Sequence, residues 1–378
     1  MPDFARSEFE DRLSRAQRAM RKEGFDTLVF CSEAEVRYFS GFRTQFWQSP
    51  TRPWFLLLQA DGEPVAIIPE IGAALMAETW VRDIRTWPSP RPDDEGLTLL
   101  RQALRGASRV GLPMGQETAL RMSLSDFDRL RRDCTAEFGD CTELVKRLRM
   151  RKSPAEIAIV RRICAIAGAA FARAGELFHV GQPLDAAFRA FRVALLQAGA
   201  DDVPYLAGGA GQGGYTDVIS PPSARALAVG DVLMLDTGAT LNGYFCDFDR
   251  NFALGQADDA AVSAHERLWH ATEAGLRAAR PGATAADLFH AMHRVLGGGH
   301  SDVGRYGHGL GMQLTEWPSI HPDDATLLQP GMVITLEPSL TISEGRIMVH
   351  EENILIAEEG PELLTPRAPA QLPVLQPH

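Results

Sequence analysis

Residues 232–254 read VLMLDTGATLNGYFCDFDRNFAL: two apolar strands, 232–239 and 243–254, joined by a short turn at Leu241-Asn242-Gly243. Such a turn folds the second strand back on the first. Asp236 lies inside the first strand and Asp247 inside the second, each flanked by residues that belong in a core. Two carboxylates on paired apolar strands cannot stay ionised there without compensation. A cation between them removes that cost, and oxygen ligands suit hard or borderline divalent ions. The plainer reading makes one or both aspartates strand-end residues paired with Arg250, and this stretch alone does not choose.

Outward from that pair, the spacing predicts helices over 154–178 and 184–199 before it, and over 260–279 and 284–296 after it. A glycine-rich stretch follows, GGGHSDVGRYGHGLG at 297–311, then two more strands at 332–340 and 346–357. Strand pairs alternating with helices predict an α+β fold rather than a parallel sheet. Helices followed by a strand pair occur twice, a weak internal echo. Residues before 150 are organised differently, with an amphipathic helix over 7–24, short strands in TLVFCS and GEPVAIIPE, and alternating helix and strand patterns. The basic cluster and the Ser153-Pro154 break in RLRMRKSPAE set the domain boundary, giving domains 1–150 and 151–378. The proline-rich end, PRAPAQLPVLQPH, reads as an extended tail.

Bulk composition narrows the class. The chain has 378 residues, 45% hydrophobic and 23% charged, ordinary for a soluble protein with two cores. A net charge of −11 argues against nucleic acid or an anionic membrane as partner. Five cysteines without a CxxC pair fit reduced thiols in the cytoplasm. The charged N-terminus offers no signal region, and no apolar run reaches the roughly 18 residues of a membrane span.

Three later residues favour the metal reading of the aspartates. Glu337 ends an apolar strand in GMVITLEPSL, just before a proline. Glu351 lies in RIMVHEENILIA, on one strand face with Ile347 and Val349. His308 lies in GHGLG, where glycines let the backbone approach a ligand closely. Four carboxylates and one imidazole suit two metals bridged by carboxylates, roughly 3.5–4 Å apart, that activate a shared water.

With this ordered set the chain resembles the pita-bread metallohydrolases: aminopeptidase P, prolidase, methionine aminopeptidase and creatinase. Asp236 and Asp247 keep the family's spacing of eleven within DTG…GY..D..R. His308 matches the HGxG histidine, Glu337 the LEP glutamate and Glu351 the final glutamate of VHEENILI. RxxKSPAEI matches the opening of the catalytic domain, and the first domain is creatinase-like. The resemblance implies a pseudo-two-fold pita-bread domain, a homodimer and two divalent ions, manganese foremost, with cobalt, zinc or iron as alternatives. It implies that Asp247 and Glu351 bridge the ions, that Asp236 completes one, and that His308 and Glu337 complete the other. Activated water would attack a carbonyl carbon, with Glu337 shuttling the proton.

The chain also departs from that pattern. Proline-specific peptidases continue from HGxG to HExP, and the second histidine contacts the substrate; here Thr315 takes its place, while Glu316 and Pro318 remain. A further family histidine is missing near Ile219. Asp249 replaces a threonine of DxTR, and pairing with Arg250 beside the ligands is the plain expectation. In creatinase-like dimers the N-terminal domain covers the neighbour's active site, and FWQSPTRPWF supplies Trp47, Arg52 and Trp54 for that role. Arginine can clamp a carboxylate and tryptophan attracts a quaternary cation, unless these groups only cover an interface. Thr315 and Glu316 complete the expected substrate contacts.

Simpler roles fit other features. His290 and His293 read as packing or surface residues, Cys246 as a buried thiol facing away from Asp247, and GAGQGG at 209–214 as a loop. The leading expectation is a dinuclear hydrolase cleaving an amide in a small substrate such as an Xaa-Pro dipeptide. The alternatives are a relative acting on a small zwitterion, as ectoine hydrolase, creatinase or dimethylsulfoniopropionate lyase do, and a metal-free binding module.

Overall fold

The computed structural model describes residues 4–49, 52–297 and 304–376. Pro50 and Thr51 of the aromatic run, residues 298–303 of the glycine-rich stretch and the last two tail residues lie outside them. The chain divides into two compact units, Met1–Arg149 and Met150–His378. No described helix is long and apolar enough to cross a membrane.

The first unit is a six-stranded sheet with helices. Its strands are β1 (Thr27–Phe30), β2 (Phe55–Gln59), β3 (Val65–Pro69), β4 (Asp83–Trp87), β5 (Arg109–Leu112) and β6 (Glu137–Asp140), in spatial order β4-β3-β2-β1-β5-β6. β2 runs antiparallel to both β1 and β3, while β4, β5 and β6 pair in parallel with their neighbours. The helix Arg6–Glu23 buries Phe9, Leu13, Ala16 and Met20, the stripe its spacing predicts, and ends at Gly24 in the left-handed region. The aromatic run turns inward. Trp54 is 1% exposed, its ring beside those of Phe42 and Trp47, and a Cβ on Gly72 would lie 2.3 Å from it. Trp54 therefore packs a core and offers no face to a substrate, against the expectation. Trp47 is also buried, whereas Arg52 is half-buried with its guanidinium 5.6 Å from the Phe46 ring.

The second unit is α+β, as expected. Its strands are β7 (Asp202–Gln212), β8 (Asp231–Leu241), β9 (Tyr244–Phe245), β10 (Phe248–Leu254), β11 (His308–Gly309), β12 (Glu316–Ser319), β13 (Val333–Leu336), β14 (Ser339–Ser343), β15 (Arg346–Val349), β16 (Glu352–Ala357), β17 (Gly360–Leu363) and β18 (Val374–Leu375). One sheet runs β18-β10-β8-β7 with β9 on β8; another runs β12-β11-β13-β16-β17; β14 and β15 form a hairpin. Capping boxes at Ser153/Glu156 and Thr284/Asp287 start the helices Pro154–Phe171 and Ala285–Val295, satisfying amides that a helix start leaves bare. The first helix stops at Phe171, short of the predicted 178, and a short helix Ala174–Leu177 follows.

β10 divides these surroundings by alternation. On one face Phe248 and Phe252 pack against Phe171, with centroids at 5.3 and 6.4 Å. Asp247 and Asp249 point to the other. The helices Asp259–Ala278 and Ala285–Val295 enclose a second core with Met234, Ile334, Ile354 and Ile356. The proline-rich tail is extended but docked: β18 pairs in parallel with β10, and Ala253 N donates to Pro373 O at 2.8 Å.

Both long hairpins keep one register across an interruption. In the first, Thr240 faces Phe245 and Thr237 faces Phe248, which sets Asp247 against Gly238 and Asp249 against Asp236. In the other, Leu336 faces Glu352 and Ser339 faces Val349, which sets Glu337 against Glu351. Asp247, Glu337 and Glu351 thus fall where the strands break, their side chains leaving the ladder.

Candidate metal centre

Asp247, His308 and Glu351, all buried, bring ligand atoms within 4.8 Å of one another. His308 Nε2 lies 3.4 Å from Asp247 Oδ2 and 3.5 Å from Glu337 Oε1. The ring orientation is fixed by its own loop: Nδ1 lies 2.9 Å from Gly309 O, a group that only accepts, so Nδ1 carries the proton and Nε2 presents a lone pair to the carboxylates. Glycines are required there, because a Cβ on Gly309 would lie 1.8 Å from Trp317 O and one on Gly307 2.2 Å from Thr335 O.

Asp236 and Glu337 complete the five-residue set on its more open side. Asp236 is half-buried and accepts from Tyr205 Oη at 3.1 Å; the Glu337 side chain is 26% exposed. Burial, then the charge of Glu337, pushes Asp236 up to about 7, and burial pushes Glu337 up to about 7 against the pull of Arg305. Asp247 and Glu351 rise well above the ordinary carboxylate range, through burial first and then the charge of Asp236 on Asp247 and of Asp247 on Glu351. Asp236 Oδ1, Glu337 Oε1 and Glu351 Oε1 are buried oxygens without a hydrogen-bond partner. Oxygens left bare, carboxyls crowded together and an imidazole lone pair fit divalent cations.

Several groups that hold this set are invisible to motif reading. Asn353 accepts Asp247 N at 2.9 Å and donates to Asp247 O, clamping that residue's backbone from both sides. Asp249 accepts Glu351 N at 2.5 Å and Asn251 Nδ2 at 2.9 Å. Its expected partnership with Arg250 is confined to the main chain: Arg250 donates to Asp249 O and Glu351 O, and its side-chain ion pair goes to Glu352 at 2.9 Å. The reason is alternation, since neighbouring residues of β10 point to opposite faces. The same rule turns Cys246 away from the centre, with Sγ near the carbonyls of Thr237 and Ala239.

The expected substrate contacts differ in placement. The Glu316 side chain is 1% exposed, paired with Lys152 at 3.2 Å and accepting Gln313 N at 3.1 Å. It braces the loop after His308 and does not face a substrate. Thr315 is half-buried and accepts from Arg305 Nη2 at 3.5 Å. Arg305 also brings Nε to 3.9 Å from Glu337 Oε1, a neighbour the sequence reading missed because no motif marks it. His293 stacks on Phe289 and meets Tyr306 Oη at 3.3 Å, a packing role as expected.

Both units of the chain resemble known proteins. Residues 12–151 match the creatinase/prolidase N-terminal domain. The chain is 26% identical over 372 residues to a Xaa-Pro dipeptidase of Pyrococcus furiosus, covering 94% of this chain and 98% of that one. It is 27% identical over 374 residues to a probable dipeptidase PepE of Mycobacterium bovis, covering 96% of each. The crystal structure of dipeptidase PepE from Mycobacterium ulcerans superposes with a TM-score of 0.85 at 26% identity, covering 99% of both chains. The two-unit, pita-bread organisation implied by the resemblance is therefore the fold of this chain. Residues 158–359, more than half of the sequence, match metallopeptidase family M24, and the chain belongs to that family.

Proposed function

We propose that this metal-dependent hydrolase cleaves the amide bond of Xaa-Pro dipeptides, with two divalent ions, manganese foremost, held by Asp236, Asp247, His308, Glu337 and Glu351. The observation that carries the reading is the convergence of Asp247, His308 and Glu351 within 4.8 Å, beside buried carboxylate oxygens that accept no hydrogen bond. Relatives named Xaa-Pro dipeptidase and dipeptidase support a dipeptide substrate. They count against both the zwitterion-specific and the metal-free readings.

Bound ions supply Lewis acidity and lower the pKa of water. The chain's own residues do the rest. Asn353 fixes the backbone of Asp247, Asp249 fixes that of Glu351, and Gly309 O sets the His308 tautomer. Glu337, about a quarter exposed to the open side and raised to about 7 by burial, can take a proton from water and return it to the leaving nitrogen. Tyr205 holds Asp236 through one oxygen and leaves the other for a ligand.

The reading includes a homodimer in the cytoplasm, supported by five free thiols and by the family likeness. It keeps Arg52 as the group that would meet a substrate carboxylate across that dimer. The test is a panel of Xaa-Pro dipeptides, ectoine, creatine and dimethylsulfoniopropionate, given to protein reconstituted with manganese after elemental analysis. Cleavage of the dipeptides is expected. Turnover of a zwitterion alone would replace the reading with the second one, and failure to bind any transition metal would replace it with the third.

A further inference from the structure

We infer that Arg305 stabilises the negative charge that develops on the substrate's carbonyl oxygen during cleavage. This inference rests on the amide-hydrolase reading above. Arg305 Nε lies 3.9 Å from Glu337 Oε1, and that same oxygen lies 3.5 Å from His308 Nε2. The guanidinium thus lies two contacts from the metal-facing imidazole, through Glu337. Its side chain is 30% exposed and its Nη2 reaches Thr315 at 3.5 Å, a long contact that a substrate oxygen can replace. Its charge already acts on both Asp247 and Glu337.

Four carboxylates balance the charge of two bound divalent ions, so a further negative charge on the substrate calls for a donor beside the ions, and a fixed cation on the open side supplies one. Arginine suits the task because it stays charged at any working pH and offers several donors in one plane. In the step concerned, the water oxygen bonds to the carbonyl carbon and the carbonyl π pair moves to its oxygen, while Glu337 takes one proton from the water. The carbonyl then re-forms from that pair, the carbon–nitrogen bond breaks, and the nitrogen leaves with the proton from Glu337. Arg305 faces the oxygen throughout and exchanges no proton.

The experiment compares wild type, Arg305→Ala and Arg305→Lys, loaded with manganese, on Ala-Pro. For Arg305→Ala, kcat should fall about 100- to 1000-fold, as when one oxyanion donor is removed, with KM changed less than about threefold. Manganese affinity, read by calorimetric titration, should stay within about threefold. Added guanidinium at tens of millimolar should restore kcat at least tenfold in this variant and not in wild type. Arg305→Lys keeps the charge and should retain more activity than the alanine variant; if the latter fails to fold, Arg305→Gln, which keeps bulk and loses the charge, takes its place with the same expected losses. A kcat within threefold of wild type, an effect carried wholly by KM, or a thirtyfold loss of manganese affinity overturns the inference. Wild type that cleaves no Xaa-Pro dipeptide overturns the proposed function and this inference with it; cleavage by wild type with an indifferent Arg305 overturns the inference alone.

Discussion

The floor and the rim of the metal centre are built by different means. On the floor, Asp247, His308 and Glu351 are buried and held through their own backbones, by Asn353, by the glycine loop and by Asp249. On the rim, Glu337, Arg305 and Thr315 are partly exposed and meet through long contacts of 3.5–3.9 Å. Backbones clamped by buried side chains cannot drift without breaking those hydrogen bonds, whereas rim side chains can turn toward a substrate. Under the proposed function the floor would hold the ions, while the rim, with Glu337 serving both roles, would act on the substrate.

The sharpest way to break this division is Asp247→Ala. It should abolish metal retention and lower turnover at least about a thousandfold, because several kcal/mol of charge stabilisation disappear. Elemental analysis and initial rates read this directly, and retention of ions with normal activity would end the proposed mechanism. Asn353→Ala touches no ion, yet it frees the backbone of Asp247 and should weaken manganese affinity about 10- to 100-fold. An unchanged titration would mean that the strand alone positions the floor.

Metal removal should then reveal the cost of the whole cluster through pH. In metal-free protein the cluster's carboxyls are raised, Asp236 and Glu337 to about 7, above the roughly 4 of an unfolded chain. The folded state binds more protons between those values, so these groups stabilise it fully below pH ~4 and that contribution is lost as pH rises through 7. Metal-free melting temperature should drop from pH 5 to pH 8 by a few degrees, about 2–4 °C per kcal/mol, while manganese-loaded protein should not follow it. Parallel curves with and without metal would show that the ions do not relieve this crowding. The smallest effect is expected at Arg52→Ala, a severalfold rise in KM for Ala-Pro with unchanged metal content. An unchanged KM would confine substrate recognition to the second unit.

Much of the floor was legible in the sequence, because an acid inside an apolar strand is conspicuous and the five candidate residues carry motif spacing. The groups that hold them were not legible. Tyr205 reaches Asp236 and Asn353 reaches Asp247 across register set by tertiary packing, which local patterning does not encode. Glu316 looked like a substrate contact until burial with Lys152 made it part of the scaffold. The aromatic run was misjudged for a related reason. β2 begins at Phe55, directly after Trp54, and its first four residues are all buried, so Trp54 follows the strand into the core.

Glu337 and Glu351 stand opposite each other at the neck of the β14–β15 hairpin, where the ladder between Leu336–Glu352 and Ser339–Val349 is interrupted. A cation shared by that pair acts as a clasp, closing the loop between them without a covalent bond. Loading with metal should therefore slow amide exchange throughout the hairpin, well beyond the atoms that touch the ion. The hairpin's breathing thus becomes a gauge of occupancy that needs no substrate to read.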